Sequence, residues 1–343
     1  MANLRTTYLG LKLKNPIIPS ASPLSHNVDG ILRMEDAHAS AVVLYSLFEE
    51  QICYDSHLLN ETLQRGTEAF AESLTYLPDM KNYNVGTGHY LQLINDAKQK
   101  VNIPIIASIN GTSLGAWVDY AKKIQEAGAD ALELNLYRLP SDPSITGAEI
   151  TAEYLEIVSE IRKTISIPLS VKISPFISSI PHLAKEIAQI GAQGIVIFNR
   201  FYQADIHTET LEVVHKVNYS DSDDLLLPLR WTAILYGQVN IDIAVTSGVH
   251  TSQDAIKAIM AGAHVTMMAS ELLRNGVKRI PVILTEMEQW MNEHGHPSVE
   301  EMRGNMSLQN VANPEKYERA QYLRVLDSLK PDSAKIISTP PAA

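Results

Sequence analysis

Two short turns of small residues, Ser247-Gly248 and Ala269-Ser270, are the most chemically suggestive feature of the sequence. Each follows an apolar run rich in β-branched residues or methionine and precedes a helical pattern. Turns of this kind can aim backbone N–H groups at a single anion, and helix N-termini add partial positive charge there. A phosphate held between the two turns is one reading, and ordinary strand–helix turns of an α/β protein are the other. Other polar residues also stand where apolar runs end. They are Ser20, Ala21 and Ser22; Tyr45; Asn110; Asn135 and Tyr137; Lys172; and Asn199. Asparagine amides both donate and accept, which suits the edge of a flat heterocycle. Lys172 sits in the alternating run Ser170–Ser174, where a lysine turned inward needs an anionic partner.

These residues need a scaffold that gathers strand ends at one mouth. Thr6–Leu13 reads as a small hairpin around Gly10. Apolar runs then begin at Ile17, Ala41, Ile103, Ala131, Pro168, Gly194, Ile243 and Val265, with helical patterns between most of them. Gly128, Gly191 and Gly262 stop three of those helices. Strands alternating with helices imply βα units on a parallel sheet. No G-x-G-x-x-G follows the opening strand, which argues against a doubly wound dinucleotide fold. The expectation is an α/β fold, a (β/α)8 TIM barrel with an N-terminal hairpin and C-terminal helices. Residues 1–310 would form one barrel domain, with a polar extension over 311–343. Active sites of such barrels lie at the strands' carboxyl ends, and phosphate commonly sits after strands seven and eight. Ser252 is expected to cap the helix after the first turn. A short hairpin is expected near Leu211–Val214, and a partly helical excursion over 48–85.

Composition narrows the class. A formal net charge of -11 speaks against a nucleic-acid partner. The single cysteine, Cys53, excludes an intrachain disulfide and a four-cysteine iron–sulfur cluster within the chain. It reads as structural. No paired carboxylates or metal-ligand spacing stand at the strand ends, so hydrolysis by two carboxylates and metal-assisted chemistry are disfavoured. The N-terminus lacks an apolar signal core and no window is long and apolar enough to span a bilayer, so a cytoplasmic protein without a membrane partner is expected. A lysine beside a reducible ring would stabilise negative charge on it, as Lys172 would on a reduced flavin.

The ordered segments NPIIPSAS (15–22), AVVLYS (41–46), PIIASINGTS (104–113), ALELNLYRLP (131–140), SVKISP (170–175), GIVIFN (194–199), LRWTAI (229–234), AVTSGVHTSQDAIKAIMAGA (244–263) and VTMMASELL (265–273) resemble the dihydroorotate dehydrogenase family, especially its soluble class 1 branch. The resemblance spans roughly residues 8 to 290. It implies an FMN-containing barrel that oxidises dihydroorotate to orotate in pyrimidine biosynthesis. Ser20, Ala21 and Ser22 would then lie against the flavin, Lys172 at its N1–O2 edge, and Asn135 and Asn199 on orotate and flavin. Tyr45 and Asn110 would line the same site, with the FMN phosphate between Ser247-Gly248 and Ala269-Ser270. A homodimer, with a separate electron-transfer partner, is also implied.

Departures from the family pattern are equally legible. Tyr137, Arg138, Leu139 and Pro140 replace the family's Ser-Cys-Pro-Asn, whose cysteine is the base that removes the substrate's proton. Tyr137 is the nearest replacement, and a phenol would need Arg138 or Lys172 nearby to act at neutral pH. Tyr45 stands where the family has lysine, and Leu225, Leu226 and Leu227 replace a glycine-rich stretch. Glu271 would repel a phosphate if it pointed inward. Two alternatives therefore stand beside the main one: an FMN oxidoreductase acting on another dihydropyrimidine or enone, and a barrel that binds FMN or phosphate without catalysis.

Overall fold

The computed structural model describes residues 2–48, 51, 87–111, 116–136, 138–200, 203–216 and 218–318. Tyr137, Cys53 and almost all of the segment expected to cross the barrel mouth lie outside these residues, as does most of the C-terminal extension.

Two short strands, β1 (Thr6–Tyr8) and β2 (Leu11–Leu13), form the expected antiparallel hairpin. The chain then alternates: β3 (Ile17–Pro19), α1 (Val28–Asp36), β4 (Val42–Phe48), α2 (Thr87–Lys100), β5 (Ile105–Gly111), α3 (Ala116–Glu126), β6 (Ala131–Leu136), α4 (Gly147–Thr164), β7 (Leu169–Ile173), α5 (Ile180–Ile190) and β8 (Gly194–Ile197). A second hairpin, β9 (Gln203–His207) with β10 (Glu212–Lys216), interrupts the pattern. It resumes with α6 (Leu226–Leu235), β11 (Asp242–Thr246), α7 (Ser252–Ala261), β12 (Val265–Met268) and α8 (Ser270–Asn275), and α9 (Arg279–Glu293) and α10 (Val299–Met302) follow.

Eight parallel strands pair in the order β3-β12-β11-β8-β7-β6-β5-β4. The two ends of that order are consecutive in sequence, so the sheet curls into a barrel. At the seam, the Ser40 N–H and hydroxyl both donate to the Ile17 carbonyl, at 3.2 and 2.9 Å. This is the (β/α)8 architecture the sequence implied.

Period-two alternation divides the apolar residues between two layers. Leu132, Leu134 and Leu136 face the helices, while Ala131, Val196, Ala244, Val265 and Met267 face inward. Tyr8, Leu9 and Leu13 of the first hairpin complete the inner cluster and plug the barrel floor. Gly194 makes room for them: a Cβ there would lie 2.5 Å from the Leu9 side chain and 3.3 Å from the Tyr8 hydroxyl. The Leu9 N–H donates to Asp242 at 2.7 Å and ties the plug to β11. With the floor sealed, the opposite mouth is left for chemistry.

Candidate active site

At that mouth lies a cavity of about 470 Å³, within the roughly 300–1,000 Å³ usual for small-molecule and cofactor sites. Its described lining includes Ser20, Ala21, Ser22, Tyr45, Lys172, Asn199, Ser247, Gly248, Ala269 and Ser270. The barrel therefore brings together residues drawn from most of its strand ends. Asn110 and Asn135 are not on the cavity wall. Asn135 is 2% exposed, and its amide donates inside the barrel to Ser108 Oγ at 2.9 Å, Ser46 Oγ at 3.3 Å and the Ile109 carbonyl at 3.2 Å. Its amide is occupied by these bonds, and it supports the site from behind.

Lys172 reaches the floor of the cavity from β7. It is only 7% exposed, and its Nζ lies 3.6 Å from Oε1 of the fully buried Glu133. Parallel register sets Glu133 opposite Ser170 and Asn135 opposite Lys172, so lysine and glutamate meet diagonally. The lysine head is thus paired in the barrel rather than extended into solvent.

A register shift between Val43 and Ser46 breaks the alternation of β4. Beyond this bulge Ser46 bonds Ser108 inside the barrel, Oγ to Oγ at 2.8 Å. Tyr45 packs edge-on against His26 at 4.4 Å and Tyr90 at 5.0 Å. Its hydroxyl is buried with no hydrogen-bond partner among the described residues, and burial pushes it up to about 12. Tyr45 is therefore a neutral phenol at the position where the resembled family carries a cation. His26 also lines the cavity; burial and then the charge of His89 lower its imidazole. Nothing in its sequence context marked it.

At the opposite end, Ser247 adopts a left-handed φ of 75°, followed by Gly248 at 77°. The turn thus keeps a glycine-type conformation with a serine in it. At Gly248 the need for glycine comes from the chain itself: a Cβ would lie 2.1 Å from the Leu225 N. Helix α7 is capped by Thr251, not Ser252, in a reciprocal box with Asp254. The box occupies the N–H groups of Thr251 and Asp254 within the protein. Ser220 joins this end from the segment before α6. Its N–H donates to Ser270 Oγ at 3.1 Å, and its own Oγ lies 2.9 Å from His250 Nε2. Glu271 does not face the cavity as an unpaired carboxylate. It is 6% exposed, with His250 Nδ1 3.1 Å from one oxygen and Arg279 Nε 2.8 Å from the other. Burial raises its carboxyl, but bonds from His250, Asn275 and Arg279 outweigh that and hold it below the usual range. The feared repulsion is thereby neutralised. Ser220, His250 and Arg279 went unmarked in the sequence because they meet only in the fold.

Arg138 forms an ion pair with Glu153 of α4, so its charge is already engaged. The donor set as a whole fits FMN. One end offers three serine hydroxyls and a left-handed turn, Ala21, Ala269, Val249 and Met267 offer flat apolar walls, and a buried cation sits at the floor.

A family model described as Dihydroorotate dehydrogenase matches residues 69–291. Among curated proteins, the catalytic subunit of dihydroorotate dehydrogenase B (NAD(+)) from Thermoplasma acidophilum is 27% identical over 89% of this chain and 99% of its own. The proteins of the same name from Methanothermobacter thermautotrophicus and Bacillus thuringiensis are 24% and 25% identical, over 88% and 89% of this chain and 97% of each of theirs. Sheet order, cavity position and these matches agree: the chain belongs to the dihydroorotate dehydrogenase family of flavin-dependent oxidoreductases.

Proposed function

We propose that this chain is an FMN-dependent oxidoreductase that removes two hydrogens from adjacent carbons of dihydroorotate, yielding orotate for pyrimidine biosynthesis. The observation that carries this is Lys172, buried and held by Glu133 at the floor of a cavity whose far end is rich in hydroxyls. Bound FMN would supply the acceptor for the substrate's hydride. Lys172 would favour negative charge on the ring edge beside it, and its low exposure makes that influence stronger than in water. Ser247, Ser270 and Ser220 would hold the phosphate. Asn199, on the wall, would orient the ring or the substrate, while Asn135 braces Ser46 and Ser108. Tyr137 would take the substrate proton, with Lys172, the cation on the cavity lining, to assist it.

The relatives named as catalytic subunits suggest that electrons leave through a separate partner chain. We expect a cytoplasmic homodimer with such a partner. The test is an absorbance titration of purified, flavin-loaded protein with L-dihydroorotate under anaerobic conditions. Loss of the long-wavelength flavin band supports the assignment. A band that persists with dihydroorotate but is lost with another dihydropyrimidine or an enone-forming ring moves the substrate. A band lost with none of them leaves a binding protein.

A further inference from the structure

Four side chains from separate segments form one continuous chain of bonds into the cavity. Arg279 Nε donates to Glu271 at 2.8 Å, Glu271 lies 3.1 Å from His250 Nδ1, and His250 Nε2 lies 2.9 Å from Ser220 Oγ. Ser220, on the cavity wall, is linked through its N–H to Ser270. An ionised Glu271 requires a proton on His250 Nδ1. The opposite nitrogen then decides what Ser220 can do. If Nε2 is bare, it takes the single hydroxyl proton of Ser220, and the serine turns lone pairs toward the cavity. If Nε2 is protonated, it donates to Ser220 Oγ, and the hydroxyl proton is free to point outward. An anion is repelled by the first arrangement and bonded by the second. The two differ by one proton.

We propose that Ser220, His250, Glu271 and Arg279 form a proton-coupled clasp for a phosphate monoester, so that anion binding draws one proton onto His250. This rests on the flavin assignment only in naming FMN as the ester. Three charged groups stand around His250. Glu271 lies at its ring from α8, and Asp254 of α7 accepts its backbone N–H at 3.1 Å. Arg279 of α9 reaches it only through Glu271. A phosphate arriving at Ser220 adds further negative charge and tips the balance. The same order of hydroxyl, imidazole and carboxylate also serves nucleophilic hydrolysis. Here Ser220 is a donor to an anion, not a nucleophile.

Calorimetry of FMN binding to the apoprotein, repeated in two buffers of different ionisation enthalpy, counts the protons taken up. The window is slightly alkaline, above the second ionisation of the phosphate at about 6. We expect uptake approaching one proton, and an affinity that weakens up to about tenfold per pH unit as pH rises. His250→Gln should abolish the uptake and flatten the pH dependence. Riboflavin, which lacks the phosphate, should bind without uptake. The wild-type measurement stands even if the variant fails to fold. FMN binding with no proton uptake overturns the clasp and leaves the flavin assignment intact. Binding of inorganic phosphate with uptake, but not of FMN, keeps the clasp and removes the flavin. Labelling of Ser220 by a fluorophosphonate would mark a nucleophile and overturn the donor role.

Discussion

Lys172 Nζ and Glu133 Oε1 face each other at 3.6 Å in the barrel, with 9% and 0% of their side chains exposed. The second glutamate oxygen has no hydrogen-bond partner among the described residues. Lysine is thus the main compensation for a carboxylate with little else to bind. Removing one member of a buried pair leaves the other uncompensated, at a cost of about 3–5 kcal/mol. Lys172→Met should therefore lower the urea midpoint sharply, and Glu133→Gln added to it should recover most of the loss. Equal midpoints for the single and double variants would show that the pair does not carry this stability.

The core strands were legible because strands buried on both faces read as continuous apolar runs. Strands Ala131–Leu136 and Val265–Met268 begin where their apolar runs do. Strand β4 was less legible: it runs through a bulge to Phe48, and a bulge has no composition signal of its own. Helix α6 begins at Leu226, directly after a tight turn that the box between Asp221 and Asp224 starts. The site was legible as a set of strand ends, since the topology alone gathers these. The bonds among them were not. Asn135 looked like a wall residue until Ser46 and Ser108 were known to compete for it. His250 and Glu271 lie far apart in sequence, and neither predicts the other.

Ser247 holds a left-handed backbone, with only a 3.4 Å contact from its hydroxyl to the Phe198 carbonyl in return. A non-glycine residue there costs roughly 1–2 kcal/mol, whereas glycine costs about 0.4–1 kcal/mol through the unfolded chain. Ser247→Gly should therefore raise stability by about 0.5–1 kcal/mol, and Ser247→Val should lower it by about 2 kcal/mol. Thermal melts of the three proteins check both signs. A less stable glycine variant would mean that the hydroxyl contributes more than its contact suggests.

His264 should shape the acid limb of stability. Burial, then the charge of Arg303, lowers its imidazole from 6.5 to about 3. Nδ1 accepts the Ile243 N–H at 3.0 Å, so Nε2 carries the proton toward Asp242 at 3.2 Å. At neutral pH the contact is therefore a hydrogen bond from an uncharged imidazole to the Asp242 carboxyl group, not an ion pair. Between about 3 and 6.5 the unfolded chain binds a proton that the native protein does not. Stability should be full above 6.5 and fall as pH drops toward 3. Asp242, raised mainly by burial, works in the opposite sense near the acid end. His264→Asn keeps an acceptor for Ile243 and should flatten the fall, as read by chemical denaturation at several pH values. An unchanged slope would place the acid sensitivity elsewhere.

Tyr137 is proposed as the group that receives the substrate proton. Tyr137→Phe should slow anaerobic flavin reduction by dihydroorotate by about 10²-fold or more, on the usual scale for a general base. Flavin content should be unchanged. Reduction at the wild-type rate would remove Tyr137 from the chemistry and direct attention to His26, an imidazole that lines the cavity.

Tyr45 separates a packing role from a binding role. Its ring is wedged against His26 and Tyr90, and its hydroxyl is buried without a described partner. Burying an unpaired hydroxyl costs about 1–3 kcal/mol, so removing it should not harm the empty protein. Tyr45→Phe should leave apoprotein stability unchanged or higher. If the hydroxyl instead bonds the cofactor or substrate when these are bound, the same change should weaken that ligand by about tenfold, the loss expected for one hydrogen bond of about 1.4 kcal/mol. Opposite effects on apoprotein stability and ligand affinity would thus identify Tyr45 as a donor held ready for its ligand. No change in affinity would reduce it to a packing residue. A stability loss in the apoprotein would show that the hydroxyl already has a partner in solution, such as an ordered water. Because the phenol titrates only near 12, none of these outcomes should depend on pH across the neutral range.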